Sequence, residues 1–132
     1  MNSRSAILNP RLAAAVVGLG HTQSLWIVDA GFPVPIGVDI IDVSVCSGVP
    51  SFAAVFVAVA AELAIESATV AVEARESGTA LIDLVGTAVS PGALSFVTHE
   101  ELKQHSHAAH VIVRTGETTP YMNVCLTGGV TF

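Results

Sequence analysis

The sequence predicts a single three-layer α/β/α domain, residues 1–132, built around a central mixed β-sheet. Three observations carry that expectation. Short strand-like runs alternate with helix-like segments along the chain, the pattern of a layered α/β protein. Those runs are apolar at almost every position, as in strands covered on both faces. No repeat, linker or shift of composition interrupts the 132 residues, a length that supports one hydrophobic core rather than two.

Each element has a local reason. Asn9-Pro10 places an N-cap before a proline at the first helical position, predicting a helix over 10–17 that Gly18 and Gly20 stop. The run 24–28, with a tryptophan and β-branched residues, reads as a buried strand ending at Asp29. Gly31-Phe32-Pro33-Val34-Pro35 can continue neither element and reads as an extended loop. A second strand is expected over 40–45, closed by Gly48-Val49-Pro50, and Ser51 then caps an apolar helix to about Ile65. A third strand over 68–73 and a helix over 80–89 follow, the latter closed by Pro91-Gly92. After a short strand over 94–97, Thr98 and Glu101 have capping-box spacing, with a helix to about Ala108. The last strands are expected over 111–114 and 123–126.

Composition bounds the function. Hydrophobic residues make up 52% and charged residues 12%, more apolar surface than so small a domain can hide alone. A bilayer span needs about 20 consecutive apolar residues. The best run, 52–61, is bounded by Ser51 and Glu62 and reads as a buried helix, so an obligate homo-oligomer is expected and a membrane is not. The first residues, Met1-Asn2-Ser3-Arg4-Ser5, show no signal-peptide pattern. Cys46 and Cys125 lie in apolar strand-like runs without Cys-x-x-Cys spacing and are expected to be reduced, buried thiols. A net charge of −6, with Lys103 as the single lysine and four dispersed arginines, argues against a nucleic-acid partner.

The candidate chemistry lies in His21, bracketed as Gly18-Leu19-Gly20-His21-Thr22, and in Asp29 at the far end of the next strand. Imidazole titrates near neutral pH, and with a carboxylate it makes a simple general acid/base. His99, between a strand and a capped helix, and Tyr121 with Asn123, at strand spacing and so on one face, supply polar groups suited to a polyol. Each has a bland alternative. His21 reads equally as a C-cap histidine bonding a carbonyl, and Asp29 as a cap on the proline-rich turn. His99 reads also as an exposed helix-start residue, and Tyr121 as a core or interface aromatic. His105-x-His107-x-x-His110 lacks a cysteine or carboxylate at ligand spacing, so no metal is expected. Gly18-x-Gly20 follows a helix and lacks the third glycine of a dinucleotide site, and no nucleophile motif is present; no cofactor is expected.

Gly-Leu-Gly-His21-Thr, Asp29-Ala-Gly-Phe-Pro-Val-Pro, Gly48-Val-Pro-Ser-Phe, Thr98-His99-Glu, Arg114-Thr-Gly-Glu117, Pro120-Tyr121-Met-Asn123-Val and the terminal Gly-Val-Thr-Phe132 together resemble the D-ribose pyranase family, end to end and in order. Two positions favour that branch over the related L-fucose mutarotases. Asp29 is followed by Ala-Gly where the fucose branch has Ala-His, and His99 stands where that branch carries an arginine-containing segment. Met122 departs from a usually small residue, and the segment 78–91 matches no family motif. The resemblance implies interconversion of the pyranose and furanose forms of D-ribose. It also implies a cytoplasmic ring-type homo-oligomer, a decamer, with sites near subunit boundaries. By motif matching His21 is the proton donor, and Asp29, His99, Tyr121, Met122 and Asn123 bind sugar. The alternatives are a mutarotase for another sugar, such as L-fucose, and a non-catalytic sugar-binding subunit.

Overall fold

The computed structural model describes residues 6–77 and 80–130; Met1 to Ser5 and the terminal Thr131-Phe132 of the family motif lie outside them. Helix α1, Pro10–Gly18, begins where Asn9 Oδ1 accepts the Leu12 N–H at 3.0 Å. Strand β1, Ser24–Val28, is buried at every position after Ser24. Strand β2, Asp39–Asp42, follows the proline loop, and helix α2, Phe52–Ala60, starts at Ser51, whose Oγ accepts the Ala54 N–H at 3.1 Å. Next come β3 (Ile65–Ala71), the short helices α3 (Glu73–Glu76) and α4 (Leu81–Gly86), and β4 (Leu94–Val97). Helix α5, His99–His105, opens on a complete capping box of Thr98 and Glu101. Strands β5 (Val111–Arg114) and β6 (Val124–Gly128) complete the order.

The six strands form one sheet in the order β2-β5-β1-β6-β3-β4. Strands β2, β5 and β1 are parallel to one another, as are β3 and β4, while β6 runs antiparallel between β1 and β3. The register sets Ile27 and Val70 both against Val124. The carboxyl ends of the five parallel strands therefore meet the start of β6 along one edge. Loops beyond strand carboxyl ends are where α/β sheets hold ligands.

Alternation along β1 divides the core. Leu25 and Ile27 pack with Leu12 and Val16 of α1, Phe52 and Phe56 of α2, and Leu81 and Val85 of α4. Trp26 and Val28 face the other way, with Phe32, Ile112 and Leu102 of α5. These two clusters are the three-layer arrangement read from the apolar strands. Burial of each large side chain is worth about 1.5–3 kcal/mol. Phe52 and Phe56, one helical turn apart, stack at 5.8 Å between ring centroids.

Several boundaries differ from expectation. Strand β2 stops at Asp42 because its carboxylate takes the Ser44 N–H and Oγ–H, turning the chain out of the ladder. Helix α2 ends at Ala60, and Ile65 instead opens β3 opposite Gly128. Glu73 begins α3 rather than ending β3. The helix expected over 80–89 closes at Gly86, where the Thr87 hydroxyl donates to the Leu84 carbonyl at 2.6 Å. Cys46 is exposed, in a narrow turn where Cys46 and Val49 bridge, so it is no core thiol. Cys125 is half-buried in β6, and burial pushes its thiol up to about 11.

That turn rests on Gly116. The Gly48 N–H donates to the Gly116 carbonyl at 2.6 Å, and the Gly116 N–H donates to the Pro50 carbonyl at 2.9 Å. A Cβ at position 116 would lie 2.4 Å from the Val49 carbonyl oxygen and 2.6 Å from that of Cys46. Backbone atoms held from both sides cannot step aside, so Gly116→Ala is expected to cost about 3 kcal/mol or more. Chemical denaturation of the purified variant measures this; a midpoint equal to that of the parent chain contradicts it.

Candidate functional site

The edge formed by the strand carboxyl ends holds a cleft of about 530 Å³ lined by Asp29, Phe32, His99, Glu117, Pro120 and Tyr121, among others. Three chain segments supply it. Asp29 follows directly on β1. His99 is the first residue of α5, delivered by β4, and its N–H donates to Glu73 Oε1 at 2.9 Å. Tyr121 sits in the turn before β6, at φ 64°. The His99 ring is wedged edge-on between Tyr121, at 5.1 Å between centroids and 79°, and Phe32, at 6.1 Å and 84°. It is half-buried, not the exposed helix-start residue that its position allowed. Its Nδ1 is buried without a hydrogen-bond partner.

Asp29 does cap its own turn, with Oδ1 accepting the Gly31 N–H at 3.1 Å, yet the same carboxylate lines the cleft. Burial pushes its pKa above the ordinary 3.8, against the lowering pull of the Gly31 N–H, the Asn123 amide and the His99 charge. Asn123 is completely buried, and its Oδ1 accepts the Asp29 N–H at 2.8 Å. Asn123 and Tyr121 do not share a strand face as expected, because the left-handed backbone at Tyr121 precedes β6. They reach the site by different routes: Tyr121 as a wall, Asn123 as a support under Asp29. Met122 is not a cleft residue. Its side chain is 8% exposed and packs in the larger core cluster.

His21 lies elsewhere. It precedes β1, at the amino end of the strand whose carboxyl end carries Asp29, and the five residues of that strand alone span about 16 Å. Its turn is held by the Thr22 N–H donating to the Gly128 carbonyl at 3.0 Å and the Gly20 N–H donating to Gln23 Oε1 at 2.7 Å. Gly128 admits this approach because it lacks a Cβ, which would lie 2.7 Å from the Gly20 carbonyl oxygen. Thr22 adopts φ 72°, strained for a β-branched residue. The His21 ring, half-exposed, pairs with Glu66 across 3.0 Å between Nε2 and Oε1. It lines a second hollow of about 370 Å³ with Val17, Leu19, Glu62 and Val130. Asp29 therefore does not orient His21 within one chain.

Two carboxylates went unread in the sequence. Glu66 is 45 residues from His21, with no local pattern linking them. Glu117 lines the cleft, and its carboxylate accepts the Phe52 N–H at 3.0 Å and the Thr119 N–H at 3.3 Å. Burial alone would raise its pKa, but these N–H groups and that of Thr118 hold it below the ordinary range. Among the described residues, no three histidine, cysteine or acidic side chains cluster as a metal site. No described helix is long and apolar enough to cross a membrane.

These features define an α/β protein with an acid–imidazole cleft at its strand ends, sized for one small polar molecule. A model of the RbsD / FucU transport protein family matches residues 2–131, and the chain belongs to that family. It is 45% identical to a D-ribose pyranase of Streptomyces avermitilis over 129 residues, 98% of each chain. It is 40% identical to a D-ribose pyranase of Bacillus cereus, with the same coverage. The structure of Bacillus subtilis RbsD complexed with D-ribose superposes with a TM-score of 0.92, at 38% identity and over 100% of both chains. A Streptococcus pneumoniae fucose mutarotase in complex with L-fucose shares the fold, with a TM-score of 0.78 at 20% identity.

Because the Asp29 pKa is raised, ionised Asp29 costs stability. That cost is absent below the unfolded value of 3.8, grows as pH rises through it, and is complete above the raised folded value. Asp29→Asn keeps the acceptor for the Gly31 N–H and removes the charge. At pH 7 the variant is expected to melt no lower than the parent, with any gain shrinking on acidification. Thermal melts of the pair from pH 3 to 8 test this, and a variant less stable at pH 7 than at pH 4, relative to the parent, contradicts it.

Proposed function

We propose that this protein interconverts the pyranose and furanose forms of D-ribose by general acid/base catalysis, as a cytoplasmic homo-oligomer. The observation that carries the reading is the cleft, where Asp29 and His99 stand together between aromatic walls in a chain related along its whole length to D-ribose pyranases. Opening a cyclic hemiacetal removes the proton of the anomeric hydroxyl and adds one to the ring oxygen. Closure on a different hydroxyl reverses both transfers, so protons balance without an external reagent. Positioned donors and acceptors accelerate each transfer about 10²–10⁴-fold.

Asp29 takes the anomeric proton, its burial making it a stronger base than an exposed carboxylate. His99 and the Tyr121 hydroxyl hold the remaining hydroxyls, and Asn123 fixes Asp29 from beneath. Met122 serves the segment through its main chain and its anchoring in the core. His21 donates to the ring oxygen, and in this reading it comes from a neighbouring copy, because β1 separates it from Asp29 in its own chain. The bare apolar side chains Leu8, Val17, Ile36 and Val45, each at least 78% exposed, support assembly. A decamer is the proposed assembly, and sedimentation equilibrium measures it.

A mixing experiment tests the shared site. His21→Ala and Asp29→Asn are each expected to lose pyranose–furanose exchange of D-ribose, measured by saturation-transfer NMR. Oligomers assembled from equal amounts of the two inactive chains regain roughly a quarter of the parental rate if each site draws the two residues from different subunits. No recovery means that one chain supplies both. Binding of ribose without any exchange by the parent chain identifies a binding subunit, and faster exchange of L-fucose identifies a mutarotase for that sugar.

A further inference from the structure

Glu117 ties two of the three chain segments that build the cleft to the start of α2. Its main-chain carbonyl accepts the Ala30 N–H at 2.8 Å, next to Asp29. Its N–H donates to Thr115 Oγ1 at 3.1 Å, and that hydroxyl donates at 2.8 Å to the carbonyl of Val28, the last residue of β1. One carboxylate oxygen takes the N–H of Phe52, the first residue of α2 and one of the most deeply buried side chains. The other takes the N–H of Thr119, two residues before Tyr121. The segment 115–121 has no regular secondary structure of its own. Its conformation at Tyr121, at φ 64°, is one an unrestrained chain disfavours by about 1–2 kcal/mol.

We propose that Glu117 is a positioning residue for the sugar site: its carboxylate pins the 115–121 segment to the first turn of α2 and so sets the spacing of Asp29 and Tyr121 across the cleft. The proposal rests on reading the cleft as the ribose site. The pin requires a carboxylate because both oxygens accept N–H groups at once. A glutamine offers one oxygen and one NH₂, which would face a second donor. An aspartate is one methylene too short to reach Phe52 and Thr119 together.

The test uses Glu117→Gln and Glu117→Asp in the full-length protein. Measured are ribose exchange kinetics against pH and the hydrogen-exchange rates of the Ala30, Phe52 and Thr119 amides. In the glutamine variant the KM for D-ribose is expected to rise about 10-fold, because a wall displaced by a fraction of an ångström no longer matches the hydroxyls. The kcat and the limbs of its pH profile stay near the parental values, since no proton donor or acceptor is lost. The Phe52 and Thr119 amides exchange faster while those of β1 do not. The aspartate variant, with a milder loss of the same contacts, keeps the proposal testable should the glutamine variant fold poorly. A KM unchanged despite faster Thr119 exchange overturns the proposal, as does a fall in kcat at constant KM. Should the parent chain leave ribose exchange at its uncatalysed rate, the ribose reading fails on its own. The amide rates then decide the pin: loss of protection at Thr119 and Ala30 upholds it, and retained protection overturns it.

Discussion

The rigid length of β1 is the constraint on which the rest of this structure depends. Five extended residues, paired on both sides and buried from Leu25 to Val28, put about 16 Å of strand between His21 and Asp29. No rotamer or loop movement closes that distance. The strand commits Asp29 to the edge where the parallel strands end and His21 to the opposite edge. Two candidate residues whose relation the sequence left open, contact with each other or separate contact with a ligand, thus stand at opposite edges of the sheet within one chain.

Around His21 and around the cleft the fold invests order where the chain alone would not supply it. The two non-glycine residues with positive φ among those described are Thr22, beside His21, and Tyr121, in the cleft wall. Strained backbone of this kind, costing about 1–3 kcal/mol, persists only where its surroundings over-determine it. For Thr22 the surroundings are the Gly128 carbonyl and the close approach of Gly20 to Gly128. For Tyr121 they are the Glu117 contacts and the edge-on His99 ring. Carboxylates from distant segments also secure the first N–H of two helices, Glu117 for α2 and Glu73 for α5. Helix starts favour negative charge, and here the same bonds fasten cleft residues to the core.

Legibility followed the range of the forces involved. The Asn9-Pro10 start, the Ser51 cap and the Thr98–Glu101 box involve atoms within three residues, so the sequence displays them, and the structure contains all three. Strands β1 and β5 were readable because short apolar runs rich in β-branched residues favour a buried strand over a helix of that length. The misread ends, at Asp42, Ala60 and Gly86, are places where a side-chain bond or a partner strand overrode local pattern. Cys46 read as a core thiol because its neighbours are apolar, but the Gly116 contacts hold it in an exposed turn.

By itself the sequence determined the α/β class, the order of the main elements, the family and most of the polar residues around the cleft, because periodicity, caps and motif order are properties of the chain alone. The tertiary structure decided which of those residues meet. It paired His21 with Glu66, set Asp29 against His99 and Tyr121, withdrew Met122 into the core, and put Asn123 beneath Asp29. Those assignments depend on strand order and register, with β6 running antiparallel between β1 and β3. Register is settled by the packing of both sheet faces at once, so no local stretch of sequence contains it.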